Sequence, residues 1–374
     1  MKEELYGELS VIGMRGCEDF ARQVDAYLKE MRGTSETFIV QVDCPRFGTG
    51  EGKGLLHKSL RGHDVYIISD VFNYGVTYKM YGMTVPMSPD DHFQDLKRII
   101  SAIAGKARRI SVIMPMLYEG RQHKRSTRES LDCAVALQEL VDMGVANIIT
   151  FDAHDPRVQN AIPLAGFDSV QTTYQMIKAL VRRVDDIVLD KDHIMMISPD
   201  EGGMSRCMYY ASVLKIDIGM FYKRRNYAVI VNGRNPIEAH EYLGKSVEGK
   251  DVIIVDDMIS SGESVLEVAD QLKEKGAKRI FVFATFGLFC NGLELFDRAY
   301  EEGKVDMIFT TNSIYRPEEL KSRPWYAEVN LCKYVSYIID TLNHDVTIHD
   351  LLNPAQRIHA LMDKHKEELE TRGK

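Results

Sequence analysis

Short runs of aliphatic and β-branched residues recur along this chain, most of them followed by a polar or glycine-bearing turn and then by apolar positions at helical spacing. The clearest runs are Val65 to Ser69, Ile110 to Met114, Asn147 to Phe151, Ile194 to Ile197, Val252 to Val255, Arg279 to Thr285 and Met307 to Thr311. Continuous apolar runs of this length read as strands buried on both faces, the kind that parallel sheets contain. Phe93, Leu96, Ile99, Ile100 and Ile103 then mark one helical face with Gly105 as its stop, and similar spacing covers Tyr174 to Val184, Met204 to Leu214 and Val265 to Lys275. This alternation predicts an α/β fold in which a mostly parallel sheet is flanked by helices.

The series runs through residues 1–172 and again through 173–350, so two α/β domains of one type are expected, with residues 351–374 as a charged amphipathic helix. Phe38 to Val42 and Ile216 to Tyr222 read as further strands, and Tyr334 to Leu342 as alternating or helical. The segment 70–90, with Gly75, Gly82, Pro86 and Pro89, reads as irregular, and the stretch leading to Lys250 as loop-like with a turn at Asn232-Gly233.

A length of 374 residues fits two domains on a scale of about 100 to 200 residues each. The net charge of −8 argues against general attraction to nucleic acid or an anionic membrane, and no run of about 18 apolar residues offers a membrane span. Six cysteines are scattered without a Cys-x-x-Cys pair, which fits reduced buried thiols. Together with an acidic amino terminus unlike a secretory signal, they predict a cytoplasmic protein.

Ligands of open α/β sheets bind beyond the carboxyl ends of the strands, so the residues at those ends carry the functional reading. The run Val252 to Val255 ends in Asp256-Asp257, and Ser260, Ser261, Gly262 and Ser264 follow before the helix. Two carboxylates can hold sugar hydroxyls or a divalent cation, and a small-residue turn at a helix start offers N–H groups to phosphate. Ser198-Pro-Asp200-Glu-Gly202-Gly203 ends another strand, with paired glycines that allow the tight backbone a pyrophosphate needs, although a plain turn has the same composition.

Other strand ends add charge. Arg121-Gln122-His123-Lys124-Arg125 follows one, suited to a polyphosphate or to a solvated face. Asp152-Ala-His154-Asp155 follows another and makes His154 a candidate for metal or phosphate contact, or a surface imidazole. Lys223-Arg-Arg225 follows a third, as a surface patch or a catalytic flap. Earlier, Phe47 and Glu51 lie in a glycine-rich loop, where an aromatic face and a carboxylate suit a purine base as well as a packed hairpin would.

Seven motifs in order, from Arg46 to the acidic loop, resemble the ribose-phosphate pyrophosphokinase family, also called phosphoribosyl diphosphate synthetases. They are Arg-Phe-x-x-Gly-Glu, Arg-Gly-x-Asp-Val, Gly-Arg-Gln, Asp-x-His, Ser-Pro-Asp-x-Gly-Gly, Lys-x-Arg and the loop from Asp256. The resemblance implies a tandem duplication of the type I phosphoribosyltransferase fold, with the ATP side in residues 1–172 and the ribose 5-phosphate side in 173–350. It implies transfer of the β,γ-diphosphoryl group of ATP to ribose 5-phosphate, in nucleotide biosynthesis. Asp256 and Asp257 would hold the ribose hydroxyls, Ser260, Ser261, Gly262 and Ser264 the 5-phosphate, and Asp200, Gly202 and Gly203 the diphosphate.

The same resemblance assigns Arg121, Gln122 and His154 to ATP, and Phe47 and Glu51 to adenine bound by a neighbouring subunit. His154 and Asp200 become the metal candidates, for Mg²⁺, and Lys223, Arg225 and His154 the catalytic candidates. It implies a homo-oligomer, a hexamer built from dimers in the family, and no nucleic-acid or membrane partner. Three features depart from the family pattern: the sugar-phosphate loop carries Ser260, Ser261 and Glu263, His123 stands where Asp is common, and the segment 70–90 and charged tail are longer. A non-catalytic regulatory paralogue is the alternative expectation. A phosphoribosyltransferase would use the Asp256 loop but leave the nucleotide-side motifs without a role.

Overall fold

The computed structural model describes residues 5–225 and 237–372, and the side chains at 223–225, 237–240 and 372 lie outside that description. The chain divides into two compact units, each built on its own sheet. Unit 1 gathers residues 1–172, 312–317 and 330–352; unit 2 gathers 173–311, 318–329 and 353–374.

In unit 1 the elements follow as β1 (Glu8–Gly13), α1 (Glu18–Arg32), the short pair β2 (Val42–Asp43) and β3 (Leu55–Leu56), β4 (His63–Ile68), β5 (Thr77–Met80), β6 (Met83–Pro86) and α2 (Pro89–Ile103). After these come β7 (Arg109–Ile113), α3 (Asp132–Asp142), β8 (Asn147–Phe151) and β9 (Gly166–Val170). The main sheet has the order β1-β4-β7-β8-β9, and every neighbouring pair is parallel. Its central strand β7 is buried at Ile110, Val112 and Ile113, as a strand covered on both faces requires.

Two segments differ from their sequence reading. The stretch 70–90 is not irregular throughout: Thr77–Met80 and Met83–Pro86 form an antiparallel hairpin across Tyr81 and Gly82, both at positive φ. Its residues are mostly exposed, so no buried face imposes an apolar alternation. Phe38 to Val42 does not become a strand of the sheet. It meets β1 through a single parallel bridge, Val11 to Ile39, and only Val42–Asp43 pairs with Leu55–Leu56.

In unit 2 the order is α4 (Thr173–Arg183), β10 (Ile194–Ser198), α5 (Met204–Leu214), β11 (Asp217–Arg225), β12 (Ile237–Leu243), β13 (Asp251–Ile259), α6 (Glu263–Glu274) and β14 (Ile280–Gly287). Then come α7 (Glu294–Glu301), β15 (Met307–Thr311), the single turn α8 (Glu318–Lys321) and β16 (Tyr326–Val329). The seven-stranded sheet runs β12-β11-β10-β13-β14-β15-β16 and is parallel except for the β11/β12 pair. Ile237–Leu243 is thus a strand and not the loop its sequence implied. It is an edge strand whose partner is β11, so its pairing is not written in its own pattern.

The remaining helices are α9 (Cys332–Asn343), α10 (His349–Leu352) and α11 (Ala355–Arg372). The closing segment is therefore two helices, not one, because Pro354 lacks the N–H that would continue a helix and disfavours helical geometry at Asn353. In unit 1, α9 packs on α1 and closes a buried polar network. Asp64 accepts two bonds from Arg109, at 2.8 and 2.7 Å, and one from Asn343 Nδ2 at 2.9 Å, while Arg109 also donates to the Leu342 carbonyl at 2.7 Å. Arg32 on α1 donates to Asp340 at 2.7 Å and Asn343 at 2.8 Å. A carboxylate fully enclosed, as Asp64 is, persists only when its bonds are filled in this way.

Candidate functional site

Strand β13 lies between β10 and β14, parallel to both, and its residues Val252 to Val255 are buried. At its amino end Asp251 takes two bonds from Arg279, at 2.9 and 2.6 Å, and serves the fold. At its carboxyl end Asp256 and Asp257 stand together, with Asp257 buried and the Asp257 N–H donating to Asp256 Oδ1 at 2.8 Å. Burial and then the neighbouring Asp257 charge hold the Asp256 carboxyl well above the usual carboxylate range, while Arg206 opposes them. Such a pair favours a hydroxyl donor or cation placed against it. Arg206, in the first turn of α5, was absent from the sequence reading, because only the fold carries its charge to Asp256.

The turn after β13 is built on backbone. Gly262 caps α6 at φ 89°, and a Cβ there would collide with the Phe296 ring, so glycine is required twice over. Glu263 opens the helix, its N–H 3.5 Å from Ser261 Oγ; Ser260 accepts the Cys290 N–H at 2.9 Å through its carbonyl. Ser264 lies in the first turn of α6. At the end of β10, Ser198 Oγ donates to the Asp200 carbonyl at 2.7 Å and the Gly203 N–H donates to Asp200 Oδ1 at 3.1 Å. Gly203 caps α5, and a Cβ added at Gly203 would stand 3.0 Å from Ser198 Oγ. Asp200, Gly202 and Gly203 therefore form one closed loop at a helix start, as Ser260 to Ser264 do one strand away.

Lys223 and Arg225 fall at the end of β11, and their side chains lie outside the described residues.

In unit 1 the corresponding edge carries side chains on loops. Strand β7 leads through Pro115 into Glu119, at φ 53°, and the exposed Arg121 and Gln122; the Gln122 N–H donates to the Glu119 carbonyl at 2.8 Å. Strand β8 ends at Phe151, and the next residue, Asp152, has a φ of 43° that is rare for a non-glycine and turns the chain sharply before the exposed His154. The loops after β7 and β8 meet: the His123 and His154 rings are 5.2 Å apart, and His123 Nε2 is 3.5 Å from Asp155 Oδ2. Arg157 grips Asp155 with bonds of 2.9 and 2.5 Å and holds its carboxyl near pKa 2.

Phe47 and Glu51 stand on a separate loop. Phe47 is 56% exposed, its N–H donates to the Glu51 carbonyl at 2.7 Å, and Thr49 donates to the exposed Glu51 carboxylate at 2.8 Å. The loop is fixed from below by Arg46, which is buried, donates to Asp95 at 2.5 Å and lies over the Tyr78 ring. It is also held from the side by the β5/β6 hairpin, where the Tyr81 N–H donates to the Gly48 carbonyl at 2.8 Å. Arg46 opened the motif in the sequence, but its role as the anchor of this loop depends on Asp95, two helical turns into a distant element.

Among the described residues no group of three or more His, Cys, Asp or Glu side chains is arranged to hold a metal ion by protein ligands alone. Asp200 and the Asp256/Asp257 pair place carboxylate oxygens, the donor type that hard cations take, at the ends of β10 and β13.

Comparison with known proteins places these observations. Residues 9–144 match the N-terminal domain of ribose phosphate pyrophosphokinase, and residues 168–308 a phosphoribosyl transferase domain. The chain is 28% identical over 314 residues to the ribose-phosphate pyrophosphokinase of Vibrio cholerae, covering 82% of this chain and 90% of that protein. It is 30% identical over 298 residues to the ribose-phosphate pyrophosphokinase of Mycoplasma pneumoniae, covering 76% of this chain and 82% of that one. The fold is similar to the crystal structure of phosphoribosylpyrophosphate synthetase from Mycobacterium smegmatis, with a TM-score of 0.73 and 20% identity over 90% of this chain and 99% of that one.

Proposed function

Since the chain belongs to the ribose-phosphate pyrophosphokinase family, we propose that it transfers the diphosphoryl group of ATP to ribose 5-phosphate, giving phosphoribosyl diphosphate and AMP. The observation that carries this reading is the match of both halves to relatives of that one name, over 82% of the chain in the Vibrio cholerae protein. A phosphoribosyltransferase reading would account for residues 168–308 alone.

In the reaction the anomeric hydroxyl oxygen bonds to the β-phosphorus, the bond from that phosphorus to the α,β-bridging oxygen breaks, AMP leaves with the bridging oxygen, and the hydroxyl proton is released. Positioning and charge neutralisation do most of such a transfer. Asp256 and Asp257 orient the ribose by accepting its hydroxyls, and their adjacency at the carboxyl end of β13 supports that use. The N–H groups around Ser260, Ser261, Gly262 and Ser264 bind the 5-phosphate, with Glu263 as the one opposing charge. Asp200, Gly202 and Gly203 cradle the diphosphate. Arg121, Gln122 and His154 hold the ATP polyphosphate, Phe47 and Glu51 reach the adenine of a neighbouring copy, and Lys223 and Arg225 close over the transferring group.

Mg²⁺ would supply further charge neutralisation at the polyphosphate, with Asp200 and His154 as the residues to hold it. The active form is a homo-oligomer, because the Phe47 loop serves a second copy. A cytoplasmic setting fits free cysteines at all six positions, and no helix among the described residues is long and apolar enough to cross a membrane.

The test is AMP formation by the purified protein with ATP, Mg²⁺ and ribose 5-phosphate, each omitted in turn. AMP that appears only in the complete mixture, with a product that a nucleobase phosphoribosyltransferase accepts, supports the reading. No AMP despite ATP binding would replace it with a regulatory paralogue, and Glu263 would be the first residue to revert.

A further inference from the structure

His123 breaks the pattern of its own loop. Arg121 and Gln122 before it and Lys124, Arg125 and Ser126 after it are all exposed, whereas the His123 side chain retains 12% of its accessible surface. A histidine in a solvated basic run would point outward with its neighbours. This one turns into the molecule and lays its ring 5.2 Å from that of His154, at an interplanar angle of 59°.

Its polar atoms are equally unusual. Nε2 faces the Asp155 carboxylate at 3.5 Å, and Nδ1 is enclosed with no hydrogen-bond partner. An acceptor nitrogen tolerates that enclosure better than an N–H would, so the arrangement favours the tautomer with its proton on Nε2, toward Asp155. Asp155 is in turn immobilised, since Arg157 donates to it from Nε, Nη2 and the backbone N–H. The chain of contacts runs from Arg157 through Asp155 to His123 and ends at the His154 ring. Those residues come from the loops after two neighbouring strands, β7 and β8, whose carboxyl ends form the ligand edge of unit 1.

We propose that His123 is a positioning residue for nucleotide polyphosphate: its imidazole, seated by Asp155, braces the His154 ring in the orientation that meets the ligand and locks the Arg121-Gln122 loop to the β8 loop. The proposal rests on the nucleotide-side reading of His154 above. Orienting partners behind a metal-ligating imidazole cost about 10-fold to 100-fold in metal affinity or activity when removed, and a loss at the lower end of that range is expected for an imidazole that meets a polyphosphate. The coupling is local to unit 1, so sugar-phosphate binding in unit 2 has no share in it.

The experiment is a double-mutant cycle read by calorimetric binding of ATP with Mg²⁺ to the full chain, which does not require turnover. His123→Ala is expected to weaken ATP binding by about tenfold in the wild-type background and to have little further effect in His154→Ala, with an unchanged melting temperature. His123→Gln retains a donor toward Asp155 but loses the ring; it is expected to bind like His123→Ala. Equal losses from His123→Ala in both backgrounds, or wild-type ATP affinity in the single variant, would overturn the proposal. If His123→Ala does not fold, His123→Gln carries the same cycle and the same two readings. Because binding is measured, a chain that fails to form AMP still decides the role of His123, and the two failures remain distinct.

Discussion

Gly262 in unit 2 has a φ of 89° and no room for a Cβ beside Phe296, whereas Phe47 in unit 1 stands 56% exposed on a loop tied down by Arg46. The contrast extends to their surroundings. Unit 2 makes its candidate ligand edge from strand ends, helix starts and two carboxylates at the end of its central strand β13. Unit 1 makes its edge from exposed side chains on loops after β7 and β8 and on the Arg46 to Gly52 turn. Substitution at the first kind of site should disturb folding and binding together, and at the second kind binding alone. The physical reason is that a backbone cradle shares its atoms with the core, while an exposed side chain shares few.

The largest effect expected is an exception inside unit 2. Lys223→Ala should lower turnover by about a thousandfold, in line with other cations that neutralise a transferring phosphoryl group, without moving the melting temperature. Steady-state AMP formation beside a thermal melt checks both halves, and a normal rate would remove Lys223 from the catalytic role. Next, Gly262→Ala should cost about 3 kcal/mol from left-handed backbone and overpacking against Phe296, and should weaken ribose 5-phosphate binding as well. A urea titration that shows full stability in this variant would break the contrast between the units.

A pH experiment sharpens the comparison within unit 1. Burial raises the Asp70 carboxyl to a pKa of about 6, against bonds from the Phe72 and Tyr315 N–H groups that lower it. Its folded pKa exceeds the unfolded one, so its stabilising contribution is complete below about pH 4 and is lost as pH rises through about 6. Asp155 has the opposite sign: held near 2 by Arg157, it stabilises above about pH 4 and ceases to do so as pH falls through about 2. Asp70→Asn should therefore flatten the dependence of the melting temperature between pH 4 and 6, a contribution of up to about 3 kcal/mol in the wild type. An unchanged slope would show that the carboxyl is not what titrates there.

Phe47→Ala follows in size. Loss of base stacking should weaken ATP binding by about tenfold with no change in melting, and the loss should grow weaker wherever the oligomer dissociates. Smallest is Glu263→Gln, which removes an exposed charge from the first turn of α6 and should tighten ribose 5-phosphate binding by about threefold at low salt, less at high salt.

The central strands and the Asp256 loop were legible because β13 is covered on both faces and apolar from Val252 to Val255, and because Gly262 has no substitute at its φ. The nucleotide-side positions were legible as motifs, yet their anchors were not. Arg46 with Asp95, the Arg206 charge with Asp256 and His123 with His154 are interactions between distant segments, and nothing local announces them. The hairpin at Thr77–Met80 and Met83–Pro86 and the edge strand Ile237–Leu243 escaped because each is defined by its partner, and the hairpin in addition has no wholly buried face with a period to read.

The polar network that joins Asp64 and Arg109 to Leu342 and Asn343 has a consequence for how the chain is made. Most of unit 1 precedes unit 2 in the chain, but α9, which packs on α1, follows β16, the last strand of unit 2. A nascent chain stopped at residue 172 would expose the α1 face and leave Asp64 without its Asn343 donor, whereas the whole sheet of unit 2 is complete once β16 has emerged. Folding on the ribosome should therefore run against the order of synthesis, the later sheet maturing before the earlier unit closes, and a fragment cut at the apparent midpoint should be the less stable half.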